Sequence, residues 1–249
     1  MKTVLFVCAL PIELNIIKSE IKNINLRGLK VKFLLSWVWN YNTIFSLKNY
    51  IDTNSKPDFI VNIWVCWVSS LKEDLDFFQV YRVKNSSNLK EFLIPIYFNI
   101  LDLKSILSSD TVITNNKYLI WENYVDMESY GICFVTDKDS IPLIIIKKPF
   151  DVISEASKNV NKKDLWESLR NLDYNLLLEK ISSFLNNSKG KNSTDLWFYK
   201  EYFRFTFSQN EIFKKNYNKF IAFWKDFSLF FKKNKNLPKK EFLKKMLEE

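Results

Sequence analysis

Every position from Val4 to Ala9 is apolar and two, Val4 and Val7, are β-branched, the pattern of a strand buried on both faces. Helical spacing follows over Glu13–Ile24, with Leu14, Ile17 and Ile21 on one side. Lys30–Ser36 predicts a second strand. Tyr41–Ile51 predicts a helix with Ile44, Leu47 and Ile51 on its apolar face. Pro57 then introduces the short apolar strand Asp58–Ile63. Phe77–Lys84 alternates as an antiparallel or edge strand would. Asp126–Thr136 predicts a helix, Pro142–Ile146 a fully apolar strand, and Asp164–Leu185 one long amphipathic helix.

Strands alternating with helices imply a mostly parallel sheet covered on both faces. The expected fold is α/β: a three-layer α-β-α sandwich around a mixed, mostly parallel twisted sheet, with a C-terminal helical extension. Val4–Ala9, Asp58–Ile63 and Pro142–Ile146 are expected to be neighbouring central strands. In such sheets a ligand sits beyond the carboxyl ends of the strands, so chemistry is sought in the residues after each strand.

The pattern changes after Leu185, where the polar string NNSKGKNS forms a linker. Beyond it Ile212, Phe213, Tyr217, Phe220, Ile221, Trp224, Phe227 and Phe231 recur at helical spacing. Charge divides at the same place. Ser188–Glu249 holds 15 Lys and Arg against 7 Asp and Glu, whereas the preceding residues hold 22 against 21. Two domains are therefore expected, 1–187 carrying the chemistry and 188–249 as a basic, aromatic-rich helical extension. That tail could bind nucleic acid through phosphate neutralisation and base stacking. The helical stripe of its aromatics favours core packing or a partner interface instead.

The chain has no histidine, which excludes Ser-His and Cys-His nucleophile pairs and argues against a transition-metal site. Cys8, Cys66 and Cys133 all lie in apolar strings, as small core residues in a reducing cytoplasm do. No apolar run approaches the roughly 20 residues that span a bilayer. The opening MKTVLFVCALPIEL lacks a signal-peptide cleavage site and is broken by Pro11 and Glu13. No cofactor and no membrane partner is expected.

Four segments at strand ends carry candidate chemistry. Ala9-Leu10-Pro11-Ile12-Glu13 puts a carboxylate in a strand-to-helix turn, where a helix-start Glu is also favoured by the macrodipole. Asn62–Val68 directly follows a strand. Val125–Gly131, with Glu128, opens a helix. Ile146–Asp151 again follows a strand, where an Asp often caps a helix. Together they place Glu13, Glu128 and Asp151 at one edge of one sheet, and one shared site explains this better than three separate caps.

These strings resemble the purine nucleoside phosphorylase and 5′-methylthioadenosine/S-adenosylhomocysteine nucleosidase superfamily. An Ala-Met-x-x-Glu turn corresponds to Ala9–Glu13, and a Gly-x-Gly turn to Trp37-Val38-Trp39. A Lys-Pro-Asp strand ending in Asn-x-Gly-x-Ala-Gly corresponds to Lys56-Pro57-Asp58 and Asn62–Trp67. Ser-Gly-Asp-x-Phe-Ile corresponds to Ser108–Ile113, Glu-Met-Glu-Gly to Asp126–Ser129, and Arg-x-x-Ser-Asp to Lys147–Asp151. The order holds over residues 1–187, about three-quarters of the chain.

The resemblance implies hydrolysis of the N-glycosidic bond of a purine nucleoside, as in methionine salvage. Asp151 would protonate or hydrogen-bond the purine N7, and Glu13 would position and deprotonate water. Glu128 would hold the ribose hydroxyls, with Met127 packed on the sugar. Thr111, Val112 and Ile113 would border the base, and Ala9, Leu10, Trp64, Val65, Asp126 and Phe150 would complete the substrate site. An oxocarbenium-like transition state suits such carboxylates, and the leaving base needs a positioned acid with a raised pKa. The implied partners are a small-molecule purine nucleoside, water and a second copy of the chain, in the cytoplasm. Two other readings stand beside this one: a phosphorolytic enzyme, and a non-catalytic binding or interaction protein on the same fold. The phosphorolytic reading needs a cluster of cationic phosphate ligands that the sequence does not reveal.

The chain departs from the pattern at Lys147 (for Arg), at Phe150 (for Ser), and at Trp37, Trp39, Trp64 and Trp67, where the family has Gly. The chain has 3 Gly and 8 Trp, where average usage gives about 17 Gly. Some bacteria read UGA as glycine and others as tryptophan. Glycine at these four positions would restore Ser-Gly-Val-Gly-Asn and Asn-Ile-Gly-Val-Cys-Gly-Val, and Trp121 could belong to the same set.

Overall fold

The structure is a computed structural model. It describes the 249-residue chain except residues 27, 71, 116–117, 120–121, 154–161, 188–212, 214–216, 218–226 and 249. Trp121, most of the expected linker, and Ile212, Phe220, Ile221 and Trp224 lie outside the described residues. The chain forms two compact units, Met1–Ile94 with Asn99–Ser182, and Pro95–Phe98 with Ser183–Glu249.

The first unit is mixed α/β. Its strands are β1 Lys2–Cys8, β2 Leu29–Leu35, β3 Phe59–Val68, β4 Phe78–Asn85, β5 Glu91–Leu93, β6 Asp102–Ser108, β7 Tyr124–Asp126 and β8 Leu143–Val152. The helices α1 Pro11–Ile21, α2 Asn40–Thr53, α3 Ser129–Asp139, α4 Lys162–Arg170 and α5 Tyr174–Asn187 accompany them, α5 running on into the second unit. The eight strands form one sheet. β1 lies parallel between β2 and β3, and β3 pairs in parallel with β8, so the three apolar runs expected side by side are neighbours.

The pairing is not that of a simple open sheet. β3 meets β8, β8 meets β4, β4 meets β6, β6 meets β7, and β7 returns to β3. Five strands thus close a ring. Closure needs strongly bent strands, and bulges supply the bend. Phe150 is the extra residue between the pairs Cys66↔Pro149 and Trp67↔Asp151. Tyr81 is the extra residue between Val80↔Lys104 and Arg82↔Ser105. Pro149, which has no N–H to give, fits a bulge better than a regular ladder. β4, expected as an antiparallel or edge strand, pairs antiparallel with β5 and β8 and parallel with β6, so it is interior rather than at an edge.

Other boundaries move for identifiable reasons. Asn62–Val68, expected after a strand, is the second half of β3, and Asp151, also expected after a strand, lies inside β8. The expected helix Asp126–Thr136 starts at Ser129, because Asp126 ends β7 paired with Ser108. The expected single helix Asp164–Leu185 is two helices separated by Asn171-Leu172-Asp173. There the Asp173 Oδ1 accepts the Leu176 N–H and starts α5 anew.

The core of this unit joins Leu5, Val7, Ile60, Val83, Ile106, Ile132, Val135 and Ile145, all essentially inaccessible to solvent. Gly131 has no Cβ because one would stand 2.5 Å from the Asn40 backbone oxygen, so α2 and α3 touch at backbone distance. In the second unit, α6 Phe227–Asn234 and α7 Lys239–Glu248 contribute to a separate core of Phe213, Tyr217, Phe230, Phe231, Phe242, Leu243 and Met246. The stripe residues Phe213, Tyr217 and Phe231 are therefore core. No helix among the described residues is long and apolar enough to cross a membrane.

Candidate active site

The turn after β1 is built by a helix start that lacks an ordinary cap. Leu10 is the N-cap of α1 and offers no side-chain acceptor, and Pro11 occupies the first helical position. Glu13, at the third, folds back instead. Its Oε2 accepts the Ala9 N–H at 2.5 Å, and the Leu10 N–H also donates to the carboxylate. This is the glutamate half of a capping box. Capping does not account for the whole side chain, because Glu13 is fully buried and Oε1 has no hydrogen-bond partner among the described residues. Burial, and then the charge of Glu128, push the Glu13 carboxyl well above its usual range, against the Leu10 and Ala9 N–H groups and Lys147.

Glu128 is the N-cap of α3, likewise buried. The Met127 N–H donates to its Oε2 at 3.3 Å, and the Trp39 N–H also donates to the carboxylate. Burial and the neighbouring Asp126 push Glu128 up to about 7, against Lys147 and these two donors. Asp126, at the end of β7, accepts the Ser129 N–H and the Ser129 hydroxyl, so it takes over the helix-starting role. It also binds Lys147 Nζ at 2.6 Å. Lys147 projects from β8 with no exposed side-chain surface. Burial works against its charge, but Asp126 and Glu128 outweigh this and hold its pKa above the ordinary lysine value.

One buried cation thus serves three buried carboxylates, contributed by the first turn of α1, the end of β7 and the N-cap of α3. Among the described residues no group of His, Cys, Asp or Glu is arranged to hold a metal ion. A second network borders this set. Asn40, at the start of α2, accepts the Ser108 hydroxyl at 3.0 Å and the Gly131 N–H at 2.8 Å, and donates to Asp110 at 2.9 Å. Ser108 in turn accepts the Tyr130 N–H at 3.1 Å. Asn40 thereby ties α2, β6 and α3 together.

The chain has the fold of the 5′-methylthioadenosine/S-adenosylhomocysteine nucleosidases. The Campylobacter jejuni enzyme superposes with a TM-score of 0.59 at 12% identity, covering 75% of this chain and 99% of that one. The Chlamydia trachomatis enzyme bound to MTA gives 0.55 at 18%, covering 74% and 100%. The Colwellia psychrerythraea enzyme in complex with adenine gives 0.56 at 14%, covering 74% and 95%. No family model matches the chain, and no curated protein matches it in sequence.

On this nucleosidase fold the structure brings Glu13, Asp126 and Glu128 together. Met127 is buried between the two acidic residues in sequence, and Ala9 is buried beside Glu13. Asp151 takes no part in that set. It is half-buried beyond the Phe150 bulge, opposite Trp67, with Oδ1 accepting the Val152 N–H at 2.8 Å. Trp64 is buried in β3, and Leu10, Val65 and Phe150 are half-buried. Thr111 and Val112 are exposed, with Thr111 tied to the Ser109 hydroxyl. Ile113 packs on Leu107, Leu119 and Val125. Lys147 and Asn40 were not among the sequence-derived site residues. The sequence offered Lys147 only as the residue standing where the resembled family has Arg, and Asn40 only as the end of the turn string Ser36–Asn40.

Proposed function

We propose that this protein hydrolyses the N-glycosidic bond of a purine nucleoside of the methylthioadenosine or adenosylhomocysteine type. The observation that carries the reading is Glu13, a buried carboxylate in the first turn of α1, just past β1, with one oxygen held by backbone N–H groups and the other without a hydrogen-bond partner among the described residues. A carboxyl raised by burial is suited to take a proton from water near neutral pH. In the proposed step the carbon–nitrogen bond breaks and its electron pair leaves with the base, which Asp151 protonates or hydrogen-bonds at N7, while the water oxygen bonds to the oxocarbenium-like anomeric carbon and Glu13 accepts the water proton. Glu128 binds the ribose hydroxyls with Met127 against the sugar. Ala9, Leu10, Trp64, Val65, Thr111, Val112, Ile113, Asp126 and Phe150 complete the site. The neighbours' fold and the ligands bound to them, MTA and adenine, support this substrate class.

The finer picture belongs to the same reading. The sheet is mostly parallel and sandwiched between helices, with residues 1–187 as the catalytic domain and the basic remainder as an extension. The protein acts in the cytoplasm, which three buried free cysteines support. It pairs with a second copy, which the exposed Tyr41, Phe45 and Phe134 on α2 and α3 support. Purified protein incubated with methylthioadenosine or adenosylhomocysteine should release adenine and the free thioribose sugar at a rate independent of phosphate. Release only with phosphate would make it a phosphorylase.

A non-catalytic binding protein is the second reading, favoured by the exposed indoles of Trp37 and Trp39 in the turn whose residue-39 N–H meets the Glu128 carboxylate. Binding of substrate without any release of adenine would favour it.

A further inference from the structure

The turn between β2 and α2 has a backbone that its residues do not suit. Trp37 stands at φ 63 and Trp39 at φ 88, ψ 139. Bulky residues with positive φ carry a steric penalty. Leu89 and Ser140 also have positive φ, at 57 and 51, and Ser140 at ψ 53 is in the ordinary left-handed helical region. Trp39 is outside that region, close to backbone space that essentially only glycine occupies. It is also the N-cap of α2 with no side-chain cap hydrogen bond, a position where glycine is favoured and large apolar residues are not. Neither indole gains burial in compensation, since Trp37 is 54% exposed and Trp39 36%. The conformation nevertheless serves the site, because it delivers the residue-39 N–H to Glu128. Trp64 and Trp67 differ: both lie in β3, without positive φ, where tryptophan is at home.

We propose that residues 37 and 39 are glycine in the protein as its own cell makes it, and that this turn is a positioning element holding the residue-39 N–H on Glu128. The chain's 3 Gly against 8 Trp agree with glycine codons written as tryptophan. UGA, one base from the tryptophan codon UGG, is read as glycine in some genetic codes. The proposal concerns the identity of two residues and does not depend on the activity proposed above.

Peptide mass spectrometry of the protein isolated from the cells that encode it tests this directly, folded or not. A peptide spanning Ser36–Asn40 should be lighter by two indole side chains, and a tryptophan mass at either position overturns the assignment there. In the chain as written, Trp39→Gly should melt about 2–8 °C above Trp39→Ala, since only glycine relieves positive φ. Equal melting of the two variants would overturn the strain argument. If the turn positions Glu128, the acidic limb of the pH–rate or pH–binding profile should also differ between Trp39→Gly, which keeps the turn and its N–H, and Trp39→Pro, which can adopt neither positive φ nor the N–H donation. Identical profiles would remove the positioning role.

Discussion

Lys147 and Asp126 form an ion pair that water does not reach: Nζ lies 2.6 Å from Oδ2, with side chains 0% and 1% exposed. The pair joins β8 to the end of β7, strands that do not pair with each other but both pair with β3. Removing one member of a buried pair leaves the other charge uncompensated, at a cost of about 3–5 kcal/mol. Lys147→Met should therefore lose about that much stability in denaturant melts. Lys147→Arg should lose much less, because a cation remains. Pairing Lys147→Met with Asp126→Asn should recover part of the loss, and a double variant no better than the single one would show that the pair is not what holds the site.

Glu128 gives the fold a pH dependence of defined sign. In the folded chain its carboxyl titrates near 7, against about 4.3 when unfolded. Between those values the folded state binds more protons, so stability falls as pH rises. The contribution is fully present below the unfolded value and gone above the folded one. From pH 5 to pH 8 the loss should be on the order of 2–3 kcal/mol, with Glu13 adding in the same direction. Glu128→Gln should flatten this slope and melt above the parent protein at pH 8. An unchanged slope would mean that Glu128 is ionised throughout.

Gly131 tests the contact between α2 and α3. A Cβ would sit 2.5 Å from the Asn40 backbone oxygen and 3.1 Å from two further backbone atoms, none of them the end of a flexible side chain. The helices must part, and overpacking of this kind costs about 1–3 kcal/mol. Gly131→Ala should show that loss in thermal melts. It should also weaken substrate binding, since Asn40 accepts the Gly131 N–H while bracing Ser108 and Asp110.

Much of this was legible in the sequence where the signal is local. Val4–Ala9, Asp58–Ile63 and Pro142–Ile146 predicted adjacent buried strands because a strand covered on both faces is apolar at every position, and β1, β3 and β8 are paired. Glu13 was legible because a carboxylate four residues past a strand's last apolar position must lie near its carboxyl end. The ring closure was not. It depends on extra residues at Tyr81 and Phe150, which exist only relative to the partner strand. The three-residue strands β5 and β7 have too little sequence to show a period. Lys147 reads as the polar end of an apolar run until the fold brings Asp126 beside it.

Glu13 and Asp151 carry separable predictions because their surroundings differ. Glu13 is fully buried in the carboxylate set, whereas Asp151 is half-buried past the Phe150 bulge. Glu13→Gln keeps an acceptor for the Ala9 N–H but cannot take a proton from water. Turnover should drop about 10²–10⁴-fold, the usual contribution of a positioned base. KM should change little, since the lost step is chemical. In the parent protein the acid limb of kcat should lie above the ordinary carboxylate range, because burial raises the Glu13 carboxyl. Asp151→Asn should also cut turnover, but the loss should shrink with a substrate whose base leaves readily without protonation, such as a nitrophenyl riboside. Glu13→Gln should gain nothing from that leaving group, since water must still be deprotonated. Equal rescue of both variants would show that Asp151 is not the group that serves the departing base.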